Sequence, residues 1–158
     1  MQKITPFLWF DNNAEEAMNF YTSVFKNSKI LNVSRYGEAG PGPKGTLMVA
    51  AIELEGQTVH LLNGGPHFKL SEAFSFVVNA ETQTEIDYFW DKLTADGGKT
   101  SQCGWLKDKF GLSWQIVPPQ LGQLMSSGDS VQAGRVMKAM LKMTKLDIAQ
   151  LKAAADNK

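Results

Sequence analysis

Two histidines are the side chains best suited to move a proton near neutral pH, where free imidazole titrates: His60 in TVHLLN and His67 in GGPHFKLSEA. His60 stands inside an apolar run and is the candidate acid or base; His67 sits in a linker marked by glycine and proline, where exposure is the ordinary state. Gln115, in KDKFGLSWQIVPPQ, is a polar amide among apolar neighbours, suited to orient a ligand oxygen or to satisfy a backbone group. Cys103 is the only cysteine, so no intrachain disulfide is available, and no base or cation marks it as a nucleophile. Asp108 and Glu16 read as a turn residue and a helix-cap residue rather than as an acid/base pair. No Ser-His-Asp or Cys-His arrangement follows from the spacing. GPGPKG, residues 40–45, has the letters of a dinucleotide-binding loop. Pro41 and Pro43 remove the N–H donors that a phosphate needs, and TLMVAAIEL after it reads as a strand where such a site requires a helix. The segment reads as a plain long hairpin loop or, alternatively, as a mobile rim loop that could serve as a lid.

These residues are positioned by a unit that occurs twice. ITPFLWF reads as a strand; Asn13 caps a following helix with Glu16 at the capping-box position, and Ala17, Phe20, Tyr21 and Val24 recur at helical spacing. FSFVV, capped Thr82, boxed Glu85 and the stripe Ile86, Phe89, Trp90 and Leu93 repeat that plan. An offset of 69 residues carries Asn13 onto Thr82, Glu16 onto Glu85 and Phe7 onto Phe76. Three strand-like segments follow the first helix: KILNVSRY, TLMVAAIEL and QTVHLLN, the last two turning at Glu55-Gly56. After the second helix come a short piece from Lys99 to Cys103 and then GWLKDKFGLSWQIV. Each half reads βαβββ, residues 1–65 and 66–118, with a helical tail over 119–158. One helix on four strands encloses little core alone, so the expected fold is α+β, two βαβββ modules forming a cupped eight-stranded mixed sheet.

Composition narrows the function. Lys+Arg and Asp+Glu are 16 each, so the formal charge is zero, which argues against nucleic acid as the main partner. The apolar run from Ile4 to Phe10 is too short to span a bilayer or to form a signal segment, so a cytoplasmic protein without a membrane partner is expected. In the tail, Asp129 or Ser130 caps VQAGRVMKAMLKM, whose Val136, Met137, Met140 and Leu141 form an adaptable apolar face; Lys138, Lys142 and Lys145 read as solvated.

The repeated βαβββ plan, AEEAMNFYTSVF on the first helix and a last strand DKFGLSWQIVP together resemble the vicinal-oxygen-chelate superfamily, which includes glyoxalase I, extradiol dioxygenases, and fosfomycin and bleomycin resistance proteins. NGGPHFKLSEAFSFVV, CGWLKDKFGLSWQIVPPQLGQLM and KLDIAQLKAA resemble its PhnB-like branch, often labelled 3-demethylubiquinone-9 3-methyltransferase. The resemblance implies a cup lined by the first and last strands of each module, where relatives hold a metal. The corresponding positions here are Pro6, His60, Ser75 and Gln115, a degenerate ligand set for zinc or iron. No metal or other cofactor is therefore expected. With Gln115 in the cup, strand alternation adds Ser113 and Val117, and the same count groups Leu62 with His60, Val77 with Ser75 and Leu8 with Pro6. Phe7, Trp9, Phe76 and Trp114 then pack under the helices, and Trp105 and Phe110 rim the last turn. The expected protein is a homodimer that binds a small organic molecule in this cup, with His60 as the catalytic residue if a reaction occurs. The alternatives are a metal-dependent lyase, isomerase or dioxygenase, and a sequestering protein like those of antibiotic resistance. The methyltransferase label finds no support, because the chain lacks alternating β and α elements with a glycine-rich first turn.

Overall fold

The computed structural model describes residues 2–158 and divides into two compact units, one ending at residue 70 and one spanning residues 71–158. The first contains β1 (Phe7–Phe10), α1 (Ala14–Val24), β2 (Ser28–Arg35), β3 (Leu47–Leu54) and β4 (Gln57–Asn63). The second contains β5 (Ser75–Asn79), α2 (Gln83–Thr94), a 3-10 turn (Ala95–Gly97), β6 (Lys99–Thr100), β7 (Trp105–Lys107) and β8 (Ser113–Val117), then α3 (Pro119–Met125), α4 (Ser130–Met140) and α5 (Ile148–Ala155). The expected βαβββ plan is present in both. The eight strands form two four-stranded sheets, ordered β1-β4-β3-β2 and β5-β8-β7-β6. Each is mixed: the first strand runs parallel to the last, and the other pairs are antiparallel. No helix among the described residues is long and apolar enough to cross a membrane.

Each sheet buries one face under its helix. In the first unit Ala17, Tyr21 and Val24 of α1 share the core with Leu8, Phe10, Ile52 and Leu61. In the second, Ile86, Trp90 and Leu93 of α2 are buried with Leu106, Trp114 and Ile116. The β3–β4 turn at Glu55-Gly56 has positive φ at both residues, 48° and 84°, as the expected two-residue hairpin demands.

The two helix starts differ. Thr82 accepts from the Glu85 N–H, and the Glu85 carboxylate accepts from the Thr82 N–H, so the expected capping box closes α2. The Asn13 side chain makes no capping bond to α1. Asn63, from the end of β4, accepts from the Ala14 N–H at 2.8 Å instead, and its amide donates to the Leu47 carbonyl at 3.0 Å. A residue distant in sequence thus does the work that spacing assigned to a local one.

The tail packs on its own unit. The Cys103 and Gly104 N–H groups each donate at 2.8 Å, to the Met143 and Thr144 carbonyls. The Gln83 side chain donates to the Leu146 carbonyl and accepts from the Ile148 N–H. Val136, Met143, Leu146, Leu151 and Ala155 form a small core, while Met137 and Leu141 are exposed. Lys145 is not free in solvent; it pairs with Asp87 at 2.7 Å.

Capping residues should therefore weigh unequally. Thr82→Ala and Asn63→Ala are each expected to cost about 1–2 kcal/mol in urea unfolding, and Asn13→Ala less than about 0.5 kcal/mol. A cost at Asn13 equal to that at Asn63 would contradict the cap seen here.

Candidate functional site

β8 is aimed by the turn before it. Asp108 is 3% exposed, and its Oδ1 accepts from the Phe110 and Leu112 N–H groups at 2.9 and 3.1 Å. Its Oδ2 accepts from the Trp114 indole N–H at 2.9 Å. Gly111 closes the turn with φ 89°. Asp108 is thus a turn residue as expected, and it also pins Trp114 into the core. Alternation then turns Ser113, Gln115 and Val117 to the other face.

On that face Gln115 is half-buried, and its amide donates to the Ser75 hydroxyl at 3.0 Å. The register groups the rest. Val77 and Trp105 flank Gln115 on either side, while Ser75 and Lys107 flank Ser113. Ser113 is buried, and Val77 is 51% exposed. A cavity of about 330 Å³ opens beside them, lined in part by Trp105, Ser113, Lys107, Lys99 and Glu72. The expected residues Ser75, Val77, Trp105, Ser113 and Gln115 do share one face. Phe76 and Trp114 share the opposite, core face, as expected, with their rings 5.3 Å apart.

In the first unit the reading of β1 needs correction. Leu8 pairs with Leu61 and is 5% exposed, so it belongs to the core and not to the ligand face. Phe7 pairs with His60, meets its ring edge-on at 5.6 Å and is 55% exposed. Trp9 pairs with Leu62 on the same face, where its indole donates to the Gly65 carbonyl at 2.8 Å. Gly64 leaves room for that ring: a Cβ there would lie 2.3 Å from it. Pro6 precedes β1, and its carbonyl accepts from the His60 N–H. Grouping Leu8 with Pro6 set the phase one residue off, because Phe7 and not Pro6 stands beside His60, and the repeat itself shifts here. The helices superimpose at an offset of 69, but pairing places Phe7 opposite His60 and Val77 opposite Gln115, an offset of 70 for the strands. The extra residue lies in the connection Asp11-Asn12-Asn13, longer than Glu81-Thr82.

The donor set does not fit a metal. Opposite His60 stands a phenyl ring, and opposite Gln115 an isopropyl group. The Gln115 amide is engaged by a neutral hydroxyl. Among the described residues no three His, Cys, Asp or Glu side chains come together. Three such ligands are the usual minimum for zinc or non-haem iron.

The other sequence candidates fall outside this face. His67 is exposed. The Cys103 thiol donates to the Met140 carbonyl at 3.6 Å, under the tail. Residues 40–45 wrap on the Tyr36 ring, where a Cβ at Gly40 or Gly42 would come within 2.6 Å, and lead into β3. Spacing missed Lys99, Lys107 and Glu72. The signal for Lys107 was available, because in WLK it stands two residues from Trp105 and so shares its face.

Asp108→Ala would leave two backbone donors and an indole unsatisfied. It is expected to cost about 3 kcal/mol in urea unfolding, with Asp108→Asn losing less. A cost below about 1 kcal/mol would show that the turn is held by other contacts.

The family model described as 3-demethylubiquinone-9 3-methyltransferase matches residues 2–117. The PhnB protein of Bacillus cereus is 43% identical over 74% of this chain and 99% of that one, with a TM-score of 0.68. Protein PA1353 of Pseudomonas aeruginosa, 19% identical, covers 75% and 98% with a TM-score of 0.62. The fosfomycin resistance protein FosX of Mesorhizobium loti, 10% identical, covers 73% and 91% with a TM-score of 0.53. The last two likenesses are of fold. The comparison with curated proteins returns no match. With the repeated βαβββ units, a matching model over most of its length and 43% identity to a PhnB protein, the chain belongs to the family described as 3-demethylubiquinone-9 3-methyltransferase.

Proposed function

We propose that the outward face of the second unit's sheet binds a small organic molecule without a metal held by the protein. The observation that carries this reading is the cavity of about 330 Å³ beside Trp105 and Ser113, on the face that also presents Gln115 and Ser75. A concave, partly aromatic surface with a few placed polar groups is the usual make-up of such a site. Trp105 supplies apolar area, Ser113 a hydroxyl, and Gln115, steadied by Ser75, an amide for a ligand oxygen. His60 remains the residue suited to proton transfer, on the face it shares with Phe7 in the first unit. No methyl-transfer step is carried over from the family description: the one glycine-rich loop with nucleotide-motif letters is wrapped on Tyr36 and followed by a strand.

A thermal-shift screen of quinones and hydrophobic antibiotics is the test. A ligand at a hundred times its Kd should stabilise the protein by about 2.7 kcal/mol. Gln115→Leu and Trp105→Ala should each weaken binding about tenfold or more. Binding should survive chelation; loss on chelation with recovery on adding zinc or manganese would replace this reading with the metal-dependent one.

The same proposal includes a homodimer, supported by Val131, Met137 and Leu141, which stay exposed on and after α4. Light scattering at micromolar concentration should give twice the 17.4 kDa chain mass. A monomer mass there would remove the dimer.

A further inference from the structure

The second unit's outward face carries a charge pattern that the binding reading leaves unused. Lys99 and Lys107 are directly opposed on β6 and β7. Opposed side chains on antiparallel strands stand on one face with Cβ atoms about 5 Å apart, where like charges repel. Glu72 relieves half of this by pairing with Lys107. The Lys107 ammonium, hydrogen-bonded to Glu72, holds that carboxyl below its ordinary range. Lys99 is exposed and has no ion-pair partner among the described residues. Two ammonium groups against one carboxylate leave a single positive charge, and the cavity touches all three side chains.

The register extends the pattern across the sheet. One row runs Lys99, Lys107, Ser113, Ser75; the next runs Trp105, Gln115, Val77. Neighbouring rows on one face are two residues apart, about 7 Å, and neighbouring strands about 4.8 Å. A cation, an indole face and an amide therefore lie within the length of one substituted aromatic acid.

Resting on the small-molecule reading above, we propose that this face is selective for an aromatic carboxylate, with the carboxylate between Lys99 and Lys107, the ring against Trp105, and a ring substituent toward Gln115. One uncompensated positive charge matches a monoanion. A phosphate dianion would leave excess negative charge here, because both cations are side chains on strands and no helix starts at β6 or β7.

The experiment uses the full chain and three probes: naphthalene-2-carboxylate, its neutral carboxamide, and inorganic phosphate. Binding is read by NMR from the Trp105 indole and Gln115 side-chain amide signals, assigned with Trp105→Phe and Gln115→Leu. The carboxylate should shift both signals and bind about tenfold more tightly than the carboxamide. Lys99→Gln should weaken carboxylate binding about tenfold and leave the carboxamide unchanged, while Lys99→Arg retains it. Equal binding of the two naphthalene probes, or indifference to Lys99→Gln, would overturn the carboxylate class and leave the binding reading standing. Phosphate outcompeting the carboxylate would overturn it in favour of a phosphate ester. If neither naphthalene probe moves the two signals, the carboxylate proposal fails by itself, and the quinone and antibiotic screen decides the wider reading separately.

Discussion

The parallel pairing of the first strand of each unit with its last decides which side chains enter the core and which stay outside it. In a strand the two faces alternate, so a slip of one residue exchanges every side chain between core and surface. In the second unit the register is held from both sides. β5 lies against β8 with Phe76 beside Trp114 and Val78 beside Ile116, and the Asp108 carboxylate grips the Trp114 indole. With those aromatic and aliphatic groups committed to the core, Ser75, Val77, Ser113 and Gln115 have only the other face to occupy. The chemistry of the face is thus a consequence of what the core requires.

That dependence explains how much was legible in the sequence. The Glu55-Gly56 turn and the Thr82–Glu85 box were readable because each is a local device with a residue signature. The facing of β8 was readable because one polar residue, Gln115, breaks an apolar run and sets the phase. In β1, Phe7-Leu8-Trp9-Phe10, every residue is apolar, so nothing in the segment marks which face is the core. The phase rested on matching Pro6 to a ligand position of relatives, one residue before Phe7, which the register sets beside His60. The α1 cap was illegible for a related reason: Asn63 reaches it from the end of β4, and only the folded register brings them together.

The same register governs the electrostatics. A chain of zero formal charge still concentrates cations locally when strand pairing sets two lysines opposite one another. Because Lys99 and Lys107 come from different strands, separated by a turn, their proximity is invisible to any count of charge along the sequence. Glu72, which precedes β5, reaches Lys107 from a third segment. The ion pair is surface-exposed, so its contribution to folding is small. Its more specific effect is to orient Lys107, while Lys99 has no ion-pair partner among the described residues.

The two units have kept one fold and diverged in what they present. On the first, β1 and β4 oppose Phe7 to His60 and Trp9 to Leu62 on the outward face, aromatic and aliphatic groups beside an imidazole. On the second, the equivalent strands present Val77 to Gln115 and Ser75 to Ser113, with Trp105 and Lys107 beside them. The core faces, by contrast, remain interchangeable in kind, Leu8 and Leu61 against Val78 and Ile116. A duplicated unit must preserve the side chains under its helix to stay folded, whereas its outward side chains carry no such packing constraint. Register places a phenyl beside the imidazole in the first unit and an isopropyl beside the amide in the second. That divergence follows from packing, which holds the helix-covered faces constant and leaves the outward faces free to change.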